Sequence, residues 1–344
     1  MRLTPPLVPL LVGMLLALPA SAMAQDRPAI LDLPALPGLS ERAKAEAARM
    51  LTRNLPRAFA LAPTGQFAWQ SGGPDGEAEQ KALEACGRGG AACRIIARDL
   101  AMVAPARASA PAPSGLAISS MNHETLPDPR FLWWGPQRAA GVLVYAHGRA
   151  PRGGDSRGGQ PQAWTRHFNN AGFDVWRFDR HPNVDEAPRA AGWLKADLQE
   201  LRRRGYRLVV VAGQSRGGWN TLMALDTPGL ADAHIAIAPA AHGQEGGPSH
   251  GRQLDDLRQI VAAAAGAPRA RVAVANFRDD PFDAQPDARA VLFNQLGARA
   301  GGFIFLDRPE GLTGHGAGAT NAFADRYGAC LLRLATASPP PRSC

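Results

Sequence analysis

The 344-residue chain carries no block of lysines and arginines and no aromatics interleaved with basic residues. Its net charge of +8 therefore reads as compositional bias rather than as a nucleic-acid footprint. Cysteine is scarce, with only Cys86, Cys93, Cys330 and Cys344. None lies near the N-terminus, so a lipid-modified N-terminus is not indicated, and C-x₆-C without an adjacent histidine is not a zinc pattern. The apolar run at residues 7–18 is short for a bilayer span and is interrupted by Pro9. With 45% hydrophobic and 20% charged residues, the composition excludes wholesale disorder and a multi-spanning membrane protein.

What is present at the N-terminus is Arg2, that short apolar run, and the small residues Ala20-Ser21-Ala22-Met23-Ala24. This is the pattern of a secretory signal peptide over residues 1–24, with cleavage expected after Ala24 or, second, after Ala22. The mature protein is expected to be exported, periplasmic or extracellular, with no stable membrane insertion. In an oxidising compartment an even set of cysteines reads as disulfides. Of the three connectivities, Cys86 with Cys93 and Cys330 with Cys344 close the shortest loops, each worth about 2–3 kcal/mol in the chain-entropy model.

Composition and periodicity divide the rest. Residues 25–56 hold a Pro-rich lead and an exposed helix with Ser40 as its N-cap. Residues 57–104 read as a hairpin, a helix near 77–85 and a returning strand at 93–97, a small α+β module containing one disulfide. This stretch resembles, through Ala82-Leu83-Glu84-Ala85-Cys86 and Cys93-Arg94, small secreted bacterial modules of hairpin, helix and Cys-Arg strand. Residues 105–117, rich in Pro and Ala, read as a linker, and 336–344 as a C-terminal tail. Between them, over 118–335, short apolar runs at 131–134, 142–146, 174–178, 208–212, 234–238, 272–276 and 303–306 alternate with helix-period segments. That alternation predicts an α/β fold, a mostly parallel sheet with helices on both faces. Trp133, Trp134, Trp164 and Trp219 read first as core and second as pocket lining.

The chemistry centres on Gly213-Gln214-Ser215-Arg216-Gly217-Gly218, placed between the strand at 208–212 and a following helix. This is G-x-S-x-G in the strand-turn-helix setting that exposes a serine hydroxyl to a base. On this fold the acid and then the histidine follow the nucleophile in sequence. Of the eight histidines, His315 alone follows the acid candidates, in the glycine-rich loop 311–318. The acid is expected after the strand at 272–276, where Asp280 is favoured because Pro281 fixes its backbone; Asp279, Asp283 and Asp287 stay open. An oxyanion hole takes one amide from the residue after the nucleophile, Arg216.

Through His147-Gly148, the Ser215 motif, Asp280-Pro281-Phe282 and Gly314-His315-Gly316, residues 118–335 resemble α/β-hydrolases, in particular the dienelactone-hydrolase and esterase branches. The resemblance implies an α/β-hydrolase fold, carboxylic ester hydrolysis through an acyl-enzyme, and no cofactor or metal. It places the second oxyanion amide at Arg149. A small-molecule or lipid-like ester is the implied substrate, with no nucleic-acid partner. An exported peptidase or amidase on the same triad and a catalytically inactive envelope binding protein are the two alternatives. The arginines and glycines of residues 149–159 suggest a basic entrance favouring acidic acyl groups.

Overall fold

The computed structural model describes residues 27–103, 106–150 and 154–344. The expected signal peptide lies outside the described residues. A 3₁₀ turn at Ala29–Ala35 leads to α1 (Glu41–Leu51), which Ser40 caps by accepting from the Ala43 amide at 3.2 Å. There follow β1 (Arg57–Leu61), β2 (Phe67–Ser71), α2 (Glu77–Cys86), β3 (Arg94–Arg98), β4 (Ala101–Val103) and β5 (Ala106–Arg107). These strands form an antiparallel sheet ordered β2-β1-β3-β4-β5. Helix α1 was expected to be exposed, but its apolar face is buried. Met50 and Leu51 pack with Ile30, Leu33, Phe59 and Ile96, because a helix of that amphipathicity must cover its stripe.

The remaining elements are β6 (Ile118–Ser119), β7 (His123–Pro127), β8 (Gly141–Ala146), α3 (Thr165–Asn170), β9 (Phe173–Arg180), α4 (Ala187–Arg203) and β10 (Val209–Gln214). After them come α5 (Arg216–Met223), β11 (Ala233–Ile237), α6 (Gln253–Ala263), β12 (Arg271–Asn276), α7 (Pro286–Gly297), β13 (Gly302–Asp307) and α8 (Asn321–Thr336). Their sheet is ordered β13-β12-β11-β10-β8-β9-β7-β6, parallel from β9 to β13, with β7 and β6 antiparallel at one edge. Strand alternation sends Leu143, Tyr145, Val210 and Ile235 into one core with Phe168, Phe323 and Leu331. It sends Val142, Val144, Val209 and Val211 to the opposite face, against Leu194, Leu198 and Leu201 of α4. Helices α5, α6 and α7 cover the rest of that second face with Trp219, Leu257 and Phe293. This is a mostly parallel sheet with helices on both faces. The chain leaves β8 for β9 on one side and returns to β10 on the other. Such a reversal opens a crevice at the carboxyl ends of the strands beside it.

One expected strand is absent: residues 131–134 are irregular. Their backbone groups bond to side chains instead of to a ladder. Asn169 bridges Leu132 N and Leu132 O, and Asp174 accepts from the amides of Trp134 and Gly135 at 2.7 and 3.0 Å. The strand β7, His-Glu-Thr-Leu-Pro, next to the edge strand β6, went unread because its side chains are mostly polar and only Thr125 of the five is buried. The two sheets are tied by Leu132, which joins the α1 cluster, and by the buried Arg53, whose guanidinium grips both Asp325 oxygens at 2.6 and 2.7 Å. Disulfides form between Cys86 and Cys93 and between Cys330 and Cys344, the sequence-close pairing. No helix among the described residues is long and apolar enough to cross a membrane.

Candidate active site

Strand β10 ends at Gln214, helix α5 begins at Arg216, and Ser215 makes the turn with φ 54°. A serine in this region costs about 1–3 kcal/mol of backbone strain, which only surrounding bonds can hold in place. Here the Ser215 amide donates to Ile237 O at 3.0 Å, and its carbonyl accepts from Trp219 and Ala240 at 2.9 and 3.1 Å. The flanking glycines are required by close approach. A Cβ on Gly213 would lie 2.4 Å from the Gly217 carbonyl carbon, and one on Gly217 only 1.9 Å from Ala146 O. Gly217→Ala must therefore push α5 off the end of β8. A loss of about 3 kcal/mol or more is expected, read as a fall in thermal midpoint of the purified variant; an unchanged midpoint would contradict the close packing.

His315 stands in the loop after β13, and its Nδ1 lies 2.9 Å from each carboxylate oxygen of Asp280, which follows β12. The Asp280 side chain is only 3% exposed, and Oδ1 also accepts from the Phe282 amide at 2.9 Å. Phe282 in turn lays its ring against the imidazole, centroids 4.3 Å apart. The other three aspartates point elsewhere. Asp279 is exposed at φ 57°, Asp283 pairs with buried Arg289 at 2.6 Å, and Asp287 pairs with Arg308 at 2.7 Å. With Nδ1–H donated to Asp280, Nε2 carries the lone pair, and it is buried without a hydrogen-bonding partner among the described residues.

Ser215 and His315 line one cavity of about 820 Å³ together with Arg149, Arg216 and Phe282. No hydrogen bond joins the two side chains, as is common before substrate draws a site together. The Arg216 amide, first in α5, is one of the helix N-terminal donors that have no intrahelical acceptor. Across the cavity the loop after β8 runs against the serine. A Cβ on Gly148 would meet Gln214 Oε1 at 2.6 Å and Ser215 Cβ at 3.2 Å, so the loop at Gly148 lies directly against the serine turn. His147 holds that loop. Its Nε2 accepts from the Arg180 amide at 3.0 Å, which puts the proton on Nδ1, 2.6 Å from Gly148 O. Burial, reinforced by Arg180, pushes its pKa down to about 3, so it stays neutral and structural.

Three further residues support the site, Gln214 at a variable position of the motif and Gln253 and Arg289 outside any motif. Gln214 Nε2 donates to His315 O at 3.2 Å and ties the histidine loop to the turn. Gln253, fully buried, accepts from Ala241 N and donates to Phe282 O at 2.6 Å, so it bridges the loops after β11 and β12. Arg289 spans the same two loops, from Asp283 to Pro239 O. The only sequence signal for Gln253 and Arg289 is a polar residue on a helix face, which exposed positions give equally well. Of the 149–159 loop, Arg149 reaches the cavity. Arg157 turns onto Asp155, and residues 151–153 lie outside the described residues.

No family model and no curated protein matches the chain by sequence. Among solved structures it is similar to an esterase of Pyrococcus furiosus, at 12% identity and TM-score 0.48 over 64% of this chain and 90% of that one. It is also similar to a monoacylglycerol lipase of Paleococcus ferrophilus, at 16% identity and TM-score 0.45 over 63% and 99% of the two chains. At these values the chemistry has to rest on this chain's own residues.

Proposed function

We propose that the protein is an exported serine hydrolase that cleaves carboxylic esters, with Ser215 as nucleophile, His315 as general base and Asp280 as the group that orients it. The observation that carries the reading is the strained Ser215, held at φ 54° beside a cavity it shares with an aspartate-tethered histidine. Its Oγ attacks the ester carbonyl while His315 Nε2 takes the proton, and Asp280 stabilises the imidazolium. The amides of Arg216 and Arg149 face the developing oxyanion. His315 then returns the proton to the leaving alcohol. Water, deprotonated by the same nitrogen, cleaves the acyl-enzyme; its oxygen ends in the acid product and Ser215 is regenerated. The two disulfides support the exported location, since such bonds persist in oxidising compartments.

A fluorophosphonate probe tests the assignment directly. Stoichiometric labelling, located by mass spectrometry on the peptide containing Ser215, is expected. Folded protein that takes up no label, or takes it up elsewhere, would overturn the reading.

A further inference from the structure

Arg216 offers more than an amide. Its side chain sits in the wall between the Ser215 cavity and a second chamber of about 580 Å³, and Arg149, Ala241 and His242 line both. A single bond anchors the guanidinium, from Nη2 to Ala241 O at 2.7 Å. Its Nε is buried without an acceptor, and no carboxylate pairs with it among the described residues. A half-buried guanidinium left in this state has lost part of its water without gaining a counter-charge, which is unfavourable.

The acids around the chamber do not compensate. Asp185 is committed to buried Arg180 at 3.0 Å, Asp226 to Lys195 at 2.8 Å, and Glu186 faces Arg189 at 3.6 Å. Asp256 lies 2.7 Å from His242 Nε2, at ion-pair distance although misaligned for a hydrogen bond. Each carboxylate lining the chamber thus has a cationic or imidazole neighbour of its own. Arg149, Arg216 and Arg252 have no ion-pair partner among the described residues. The imbalance is felt locally. Burial pushes the His242 pKa down, and although Asp256 opposes this, Arg216 and Arg252 push it further in the same direction. Burial likewise depresses Arg216, opposed by Asp185 and reinforced by Arg149 and Arg180. Away from the arginines the walls are apolar, with Trp219, Met223, Ile260 and Ala263.

We infer that this chamber receives a carboxylate-bearing part of the ester, with the half-buried Arg216 as its counter-charge and the exposed Arg149 and Arg252 at the rim. The inference rests on the hydrolase reading and narrows its substrate class to esters with a free carboxylate and an apolar body. A planar guanidinium that lines the chamber and has no carboxylate of its own matches a carboxylate in both charge and geometry. The carboxylate belongs either to the acyl part or to the alcohol part, and two probe pairs separate these. On the acyl side, para-nitrophenyl hydrogen glutarate is compared with para-nitrophenyl methyl glutarate. On the alcohol side, the butyrate ester of meta-hydroxybenzoic acid is compared with that of its methyl ester.

In one pair the free acid is expected to be favoured roughly tenfold or more in kcat/KM, the scale of a charge-assisted contact. Arg216→Gln should bring that ratio near one, and Arg252→Gln should lower it. Because the ratio compares two substrates on one variant, a general loss of activity does not affect it. Equal cleavage of charged and neutral members in both pairs, or a preference that survives Arg216→Gln, would overturn the subsite while leaving the hydrolase reading intact. If no ester is cleaved, the hydrolase reading fails by itself, and calorimetric titration with glutarate then reads the chamber alone. Binding that is lost in Arg216→Gln supports the carboxylate site, and no binding to the unaltered protein overturns it.

Discussion

Ser215→Ala is expected to lower kcat for a small activated ester by roughly 10⁴- to 10⁶-fold, with the fold retained. The size follows from the step it removes. Without Oγ there is no acyl-enzyme, and only the oxyanion donors and substrate binding remain to help water attack directly. Retention of the fold follows from the backbone, because the hydrogen bonds that Ser215 makes among the described residues come from its amide and carbonyl. Alanine at φ 54° keeps those bonds. Circular dichroism and thermal unfolding should match the unaltered protein, while initial-rate kinetics fall to near background. Turnover within tenfold of the unaltered protein would remove Ser215 from the mechanism.

The second large effect is expected at Asp280→Asn, a loss of roughly 10³- to 10⁴-fold in kcat. Asparagine can keep the 2.9 Å bond from the Phe282 amide to Oδ1, so the loop should hold. Its amide group, however, presents N–H toward His315 Nδ1, where the carboxylate accepted. The imidazole then favours the tautomer protonated on Nε2, which cannot take the serine proton, and a positive ring has no counter-charge. Asp279→Asn is the matched control. Its side chain is exposed and makes no bond to His315, so kcat should stay within about twofold. Equal losses at the two positions would place the orienting role elsewhere than Asp280.

The parallel strands of the main sheet were readable because β8, β10, β11 and β12 are almost wholly buried and hence continuously apolar. The rim of the sheet was not readable. Residues 131–134 carry an apolar strand pattern, yet their backbone is satisfied by Asn169 and Asp174, residues that lie 37 to 40 positions away. β7 carries almost no apolar pattern and is a strand because β9 offers it an edge. A local pattern reports burial, and burial and pairing coincide only in the middle of the sheet.

The site divides along similar lines. Sequence order and the G-x-S-x-G turn singled out Ser215 and His315 from local chemistry, since a strained turn needs glycines around it and the histidine candidates were few. Pro281 favoured Asp280 in the sequence, but separating it from Asp279, Asp283 and Asp287 took distances, because only the folded chain fixes which of four aspartates within nine residues faces the imidazole. The unpaired Arg216 needed more still. A sequence shows that an arginine follows the serine, but whether its charge is answered depends on Asp185, Asp226 and Asp256. Those residues come from separate elements, and only the packed fold brings them to one chamber, each already occupied. Local pattern by itself determined the turn, the strands at the sheet's centre and the order of the candidate residues along the chain. Pairing between distant charges was decided by tertiary structure, because Coulomb energy depends on separation in space and on the water excluded between the partners.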